Sequence, residues 1–166
     1  MKKLLLILAL AVLLCGCSQQ QTFEPVTDVY ADETAQLQHV VLKLPENAVV
    51  QTMEHESAGM LYLCDGYCVT VQTFPGGDME RTMREVTGFS KEQLMVMQTN
   101  RNGVVCNDAV WSTAGEGEDQ VCRTTVLDDG AYHYVVCAMA DASAAGELSD
   151  TWNDIFTSVE LVSTAP

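Results

Sequence analysis

The stretch Met60-Leu61-Tyr62-Leu63-Cys64-Asp65-Gly66-Tyr67-Cys68-Val69-Thr70-Val71-Gln72-Thr73 reads as a β-hairpin and sets the class of sheet. Asp-Gly between two β-prone runs is a strong hairpin signal, because both central residues of a type I′ turn need positive φ. Pro75-Gly76-Gly77 ends the pair. The same turn chemistry recurs twice. Asn100-Arg101-Asn102-Gly103 separates Leu94–Thr99 from Val104–Ser112, and Asp128-Asp129-Gly130 separates Gln120–Leu127 from Ala131–Ala140. Upstream, Val40-Val41-Leu42-Lys43-Leu44 is a β-branched, apolar run stopped by Pro45-Glu46-Asn47, and Ala48–Met53 resumes an extended run.

Two segments change period from 2 to 3.6. Met79, Met83 and Val86 fall on one helical stripe, with Asp78 placed as N-cap and Gly88 as the residue that ends the helix. Ser90-Lys91-Glu92-Gln93 has capping-box spacing and predicts a further helical turn. Ala145, Leu148, Trp152, Ile155, Phe156 and Val159 form a second amphipathic stripe. The order strands, helix, strands, helix, with hairpins dominant, predicts an α+β sandwich: an antiparallel sheet with two main helices packed on it.

Three segments resemble the Mog1/PsbP-like family of folds. They are Leu42-Lys43-Leu44-Pro45, the hairpin that leads through a helix to Thr87-Gly88-Phe89-Ser90, and the closing Trp152-Asn153-Asp154-Ile155-Phe156-Thr157-Ser158-Val159. The resemblance implies one such domain over residues 39–162, with no catalytic signature and with binding or assembly as its usual work.

The chain begins with Met1-Lys2-Lys3 and an apolar run from Leu4 to Leu14. That run is shorter than the roughly 20 residues needed to span a bilayer, and the basic-then-apolar layout is that of a secretory signal. It ends in Leu14-Cys15-Gly16-Cys17-Ser18, which resembles the lipobox of bacterial lipoproteins, although Cys15 stands where Ala, Ser or Thr is usual. The resemblance implies cleavage between Gly16 and Cys17 and a diacylglyceryl group, with chains such as palmitate, on the Cys17 thiol. Acyl chains of this kind anchor stably, since each buried CH₂ contributes about 0.8 kcal/mol. Residues 1–16 are then a signal peptide and 17–38 a lipidated, flexible tether that is polar and poor in aliphatic periodicity. The expected place is the extracytoplasmic face of the cell membrane.

The 166-residue chain carries a formal charge of −15, and loss of Lys2 and Lys3 leaves 6 basic against 23 acidic residues. That balance opposes nucleic-acid binding, because phosphates need compensating cations. Glu116-Gly117-Glu118-Asp119 and Asp128-Asp129-Gly130 could hold a cation, but neither follows a Ca²⁺-loop spacing, and turns need Asp and Gly in any case. No metal site and no cofactor is expected. His39, His55 and His133 are scattered, and no Gly-x-Ser-x-Gly or phosphate loop occurs.

Five cysteines lie beyond the lipobox: Cys64, Cys68, Cys106, Cys122 and Cys137. A two-residue Asp129-Gly130 turn would place Cys122 opposite Cys137, with Cα atoms about 5.5 Å apart, inside the disulfide range. The alternative is that these are small buried thiols. Counting around Asp65-Gly66 puts Cys68 opposite Leu63, so Cys64 and Cys68 fall on opposite faces and pair badly. Trp152 is expected in the core, and Trp111 on the same sheet face as Ala109.

These readings predict a membrane-anchored extracytoplasmic lipoprotein that is not an enzyme. It would act as an interaction module for an envelope protein or surface polymer. The alternative is a small-ligand or cation-binding lipoprotein with a pocket between sheet and helices.

Overall fold

The computed structural model describes residues 23–27, 38–52, 59–90, 92–114 and 117–163. Ten strands are present among them: β1 (Phe23–Thr27), β2 (Gln38–Pro45), β3 (Val49–Thr52), β4 (Gly59–Leu63), β5 (Cys68–Pro75), β6 (Val96–Arg101), β7 (Val104–Thr113), β8 (Gln120–Asp128), β9 (Tyr132–Asp141) and β10 (Glu160–Ser163). The helices are α1 (Met79–Thr87), the short α2 (Ala142–Ala145) and α3 (Ser149–Thr157). Seven strands form one sheet in the order β3-β4-β5-β9-β8-β7-β6, and β1-β2-β10 form a smaller one. Every strand pair is antiparallel. The α+β sandwich expected from the sequence is what folds.

Strand alternation gives the large sheet two buried faces. On the first face Val69, Val71, Tyr134, Val136 and Ala138 meet Val40, Leu42 and Leu44 of β2 and Trp152, Ile155 and Phe156 of α3. Burying a Val, Leu, Ile or Phe side chain contributes roughly 1.5–3 kcal/mol, so this layer dominates the stability of the fold. On the second face Ala109, Val126 and Val135 meet Met83 of α1 and Leu94. The two long helices therefore lie on opposite sides of the sheet.

Local chemistry sets the helix ends. Asp78 accepts a hydrogen bond from the Arg81 amide as N-cap, and Gly88 closes α1 in the left-handed region at φ 75°. The Ser90 amide donates to the Gln93 side chain and the Gln93 amide to the Ser90 carbonyl, closing the one turn that the capping-box spacing predicts. The stripe from Ala145 to Val159 is divided, because α2 ends at Ala145 and α3 begins at Ser149, with Val159 buried just beyond it.

Two expectations need correction. Phe23–Thr27 lies within the expected tether yet pairs with β2 as a strand. The edge of β2 offers unpaired main-chain groups that even a segment poor in aliphatic residues can satisfy. The second concerns the β8–β9 turn, where Asp128 faces His133 and not Ala131. Carboxylates widen the loop: Asp128 accepts from the Gly130 amide, and Asp129 accepts from the amides of Ala131 and Tyr132. Cys122 therefore faces Met139, and Cys137 faces Thr124. A slip of two residues keeps every side chain on its face, so the core is unaffected.

Candidate binding cleft

The β6–β7 hairpin turns on Asn102 (φ 52°) and Gly103 (φ 88°), a pair with positive φ at both positions. This turn fixes the register Val96↔Ala109 and Gln98↔Asn107. Because side chains alternate, Val96, Gln98, Asn107 and Ala109 share the second face, the one beneath α1. Between α1, the segment after it and these two strands lies a cavity of about 440 Å³. Met79 and Met83, one helical turn apart, line one wall, and Phe89, Leu94 and Val96 extend the apolar surface. Gln98 and Asn107 are the polar residues between the strands, and Glu80 also lines the cleft.

Asn107 gives this cavity its chemistry. It is 4% exposed, and Gln98 Nε2 donates to its Oδ1 at 3.2 Å, which leaves Nδ2 as the donor without a partner. Nδ2 is buried and has no hydrogen-bond partner among the described residues. Buried polar groups are nearly always paired, and leaving one unpaired costs about 1–3 kcal/mol. An orphan donor beside an apolar cavity is a polar anchor without its acceptor. A pocket of this size with a few convergent polar groups suits a small ligand.

A second groove, about 600 Å³, runs between β2 and α3 past Val41, Lys43, Asn153, Asp154, Thr157 and Glu160. Those side chains are mostly exposed, and none carries a buried, unpartnered polar atom. Nearby, Arg101 bonds Asp108 at 2.7 Å and the Phe156 carbonyl at 3.1 Å. Arg123 donates to Asn153 at 2.7 Å and lies 4.5 Å over the Phe156 ring. These two arginines fasten α3 to the sheet.

The sequence candidates separate under this geometry. Gly16 and Cys17 lie outside the described residues, as does His55. Cys122 and Cys137 are free thiols and diagonal neighbours on the second face, not the directly opposed pair expected. Cys68 faces Met139 from β5 and joins them on that face, while Cys64 packs against the first core. Burial pushes the Cys122 thiol up to about 11 and also raises Cys64, Cys68, Cys106 and Cys137. All five are therefore neutral and weakly nucleophilic at pH 7. Among the described residues no three His, Cys, Asp or Glu side chains converge as metal ligands would. Glu118 accepts from the Ser143 amide at the start of α2, so this acidic residue serves a turn, as do Asp128 and Asp129. Trp152 is in the first core and Trp111 packs against the second. His133 is buried and bonded to Thr82.

Sequence reasoning did not find Gln98 and Asn107. A signal was there, in polar residues at alternate positions beside Val96 and Ala109, but only the hairpin register pairs them.

Among the described residues, one end of the first face is exposed. Met97 (61% exposed) on the edge strand and Val110 (60%) on β7 share that face, with Met95 (88%) just before β6. Among the described residues no helix is long and apolar enough to cross a membrane.

No protein-family model matches the sequence, and no curated protein matches it. Solved structures do match. Cyanobacterial PsbP (CyanoP) from Synechocystis aligns over 89% of this chain and 97% of its own, at TM-score 0.59 and 8% identity. LpqN of Mycobacterium tuberculosis, described as involved in cell envelope biogenesis, aligns over 84% and 91%, at TM-score 0.54 and 12% identity. A protein from Bacteroides thetaiotaomicron aligns over 75% of this chain, at TM-score 0.51 and 8% identity. There the match spans 46% of the other protein, about half its length. The chain has the Mog1/PsbP-like α+β fold.

Proposed function

We propose that this chain is a lipid-anchored, extracytoplasmic binding protein of the cell envelope, without enzymatic activity, that holds a small ligand between α1 and the sheet. The cleft carries the reading: a largely apolar cavity of about 440 Å³ lined in part by Asn107, whose Nδ2 is buried and unpartnered. The anchor rests on the Leu14-Cys15-Gly16-Cys17 sequence behind its short apolar run. The envelope setting is in keeping with the shared fold of LpqN. Five neutral thiols, three of them buried, and a histidine bonded to a threonine support a non-catalytic role.

A second reading, docking of an envelope protein or surface polymer, draws on the exposed Met95, Met97 and Val110 at the open end of the first face. The cleft is favoured because its polar anchor is specific, whereas scattered exposed apolar residues are common on protein surfaces.

The test is extraction of the native, lipidated protein from its own membranes, followed by mass spectrometry of small molecules released on denaturation. A compound recovered with the unsubstituted protein and lost from Val96→Trp, which fills the cleft, supports the reading. Recovery of none, or equal recovery from both, overturns it. The anchor is tested separately by Cys17→Ser. That variant should leave the membrane fraction, and its retention there would refute lipidation.

A further inference from the structure

Resting on that reading of the cleft, we infer that its occupant is an uncharged, largely apolar molecule bearing a carbonyl oxygen, which accepts a hydrogen bond from Asn107 Nδ2. The donor set fixes the polarity of the anchor. Asn107 Oδ1 already accepts from Gln98, so the unsatisfied atom of this amide is an N–H donor. A ligand that satisfies it presents an acceptor there. An ammonium or another pure donor would leave two donors facing each other.

Charge then narrows the class. None of the lining residues is Lys or Arg, and the one ionisable group among them is Glu80, an acid. Glu80 is engaged by Arg84 at 3.0 Å on the outer surface of α1, so that arginine is committed. A carboxylate entering this cavity would lose its hydration with no cation to replace it, in a chain whose formal charge is already −15. A neutral ester, amide or ketone oxygen avoids that cost and still satisfies Nδ2.

The body of the ligand meets Met79, Met83, Phe89, Leu94 and Val96. Unbranched thioethers adapt to irregular shapes, so the two methionines can repack around an alkyl or ring group.

The experiment uses the full lipidated chain in nanodiscs, with methionine methyls and side-chain amides labelled for NMR. Three probes share one alkyl chain: hexanamide, hexanoate and hexylammonium. Partitioning into lipid is matched with empty nanodiscs. Hexanamide should shift the Met79 and Met83 methyls and the Asn107 amide, and bind at least tenfold more tightly than either charged probe. Asn107→Leu should weaken hexanamide about tenfold and leave the weak binding of hexanoate unchanged. Methyl shifts of equal affinity from all three, or tighter binding of a charged probe, would keep the cleft as a ligand site and overturn the carbonyl assignment. Methyl shifts from none would overturn the ligand reading itself. Should Asn107→Leu fail to fold, the ranking of the three probes on the unsubstituted chain decides.

Discussion

The Nδ1 of His133 sits 2.7 Å from the hydroxyl oxygen of Thr82, and this contact, wholly shielded from water, pins α1 to β9. The other ring nitrogen lies 3.9 Å from Asp128 Oδ2. A carboxylate on that side favours the proton on Nε2, and in that tautomer the Thr82 hydroxyl donates to Nδ1. Thr82→Val keeps the shape and removes the donor, leaving the imidazole with no hydrogen-bond partner in the interior. The expected loss is about 1–3 kcal/mol, read as a lower urea midpoint with an unchanged slope. A loss below a few tenths would show that the contact does not hold the helix.

Asn107 should act in the opposite direction. A buried donor without a partner is a cost in the ligand-free protein, so Asn107→Leu should raise stability by about 1 kcal/mol, a common trade at binding sites. The same urea titration checks it. A substantial loss would show that Asn107 is held for structure through Gln98, and would remove the ground for treating it as an anchor.

The contrast between these two residues shows what could be read from the chain. Asn102-Gly103 specifies its turn through positive φ at adjacent positions, whereas Asp65-Gly66 turns with positive φ at Gly66 alone; both segments still form hairpins where the sequence places them. Asp78 and Gly88 bound α1 for the same local reason. Asp128-Asp129-Gly130 misled, because its carboxylates capture the turn amides and widen the loop by two residues, which no propensity encodes. The direct opposition of Cys122 and Cys137 was displaced with it. The cleft was less legible still. Gln98 and Asn107 meet only through a correct register, and the unpaired Nδ2 exists only because α1 and the segment after it exclude water from a place no sequence window contains.

Arg101 and Asp108 offer a third test. Their 2.7 Å bridge leaves Asp108 mostly buried, with Oδ1 unpartnered. Arg101→Ala strands that carboxylate and also frees the Phe156 carbonyl, so a loss of about 3 kcal/mol is expected. Adding Asp108→Asn should recover part of it, because the stranded charge is gone. If the double variant is less stable than Arg101→Ala alone, the cost arises from packing and not from charge.

The thiols set how the fold responds to alkali. Burial holds the Cys122 thiol at about 11, against an ordinary value of 9.0, and its thiol neighbours Cys137 and Cys68 are raised as well. Tyr67 is displaced in the same direction, first by burial and then by Cys64. Each group keeps its proton longer in the folded chain than in the unfolded one. Between the two values the native state therefore binds more protons, and linkage makes stability fall as pH rises. This contribution is intact below about pH 9 and is lost progressively toward pH 11. Urea midpoints measured under reducing conditions should be flat from pH 7 to 8.5 and decline steeply above pH 9. Cys122→Val removes one of these protons without opening a void, so its decline should be shallower. An identical slope in that variant would mean that Cys122 does not titrate on unfolding.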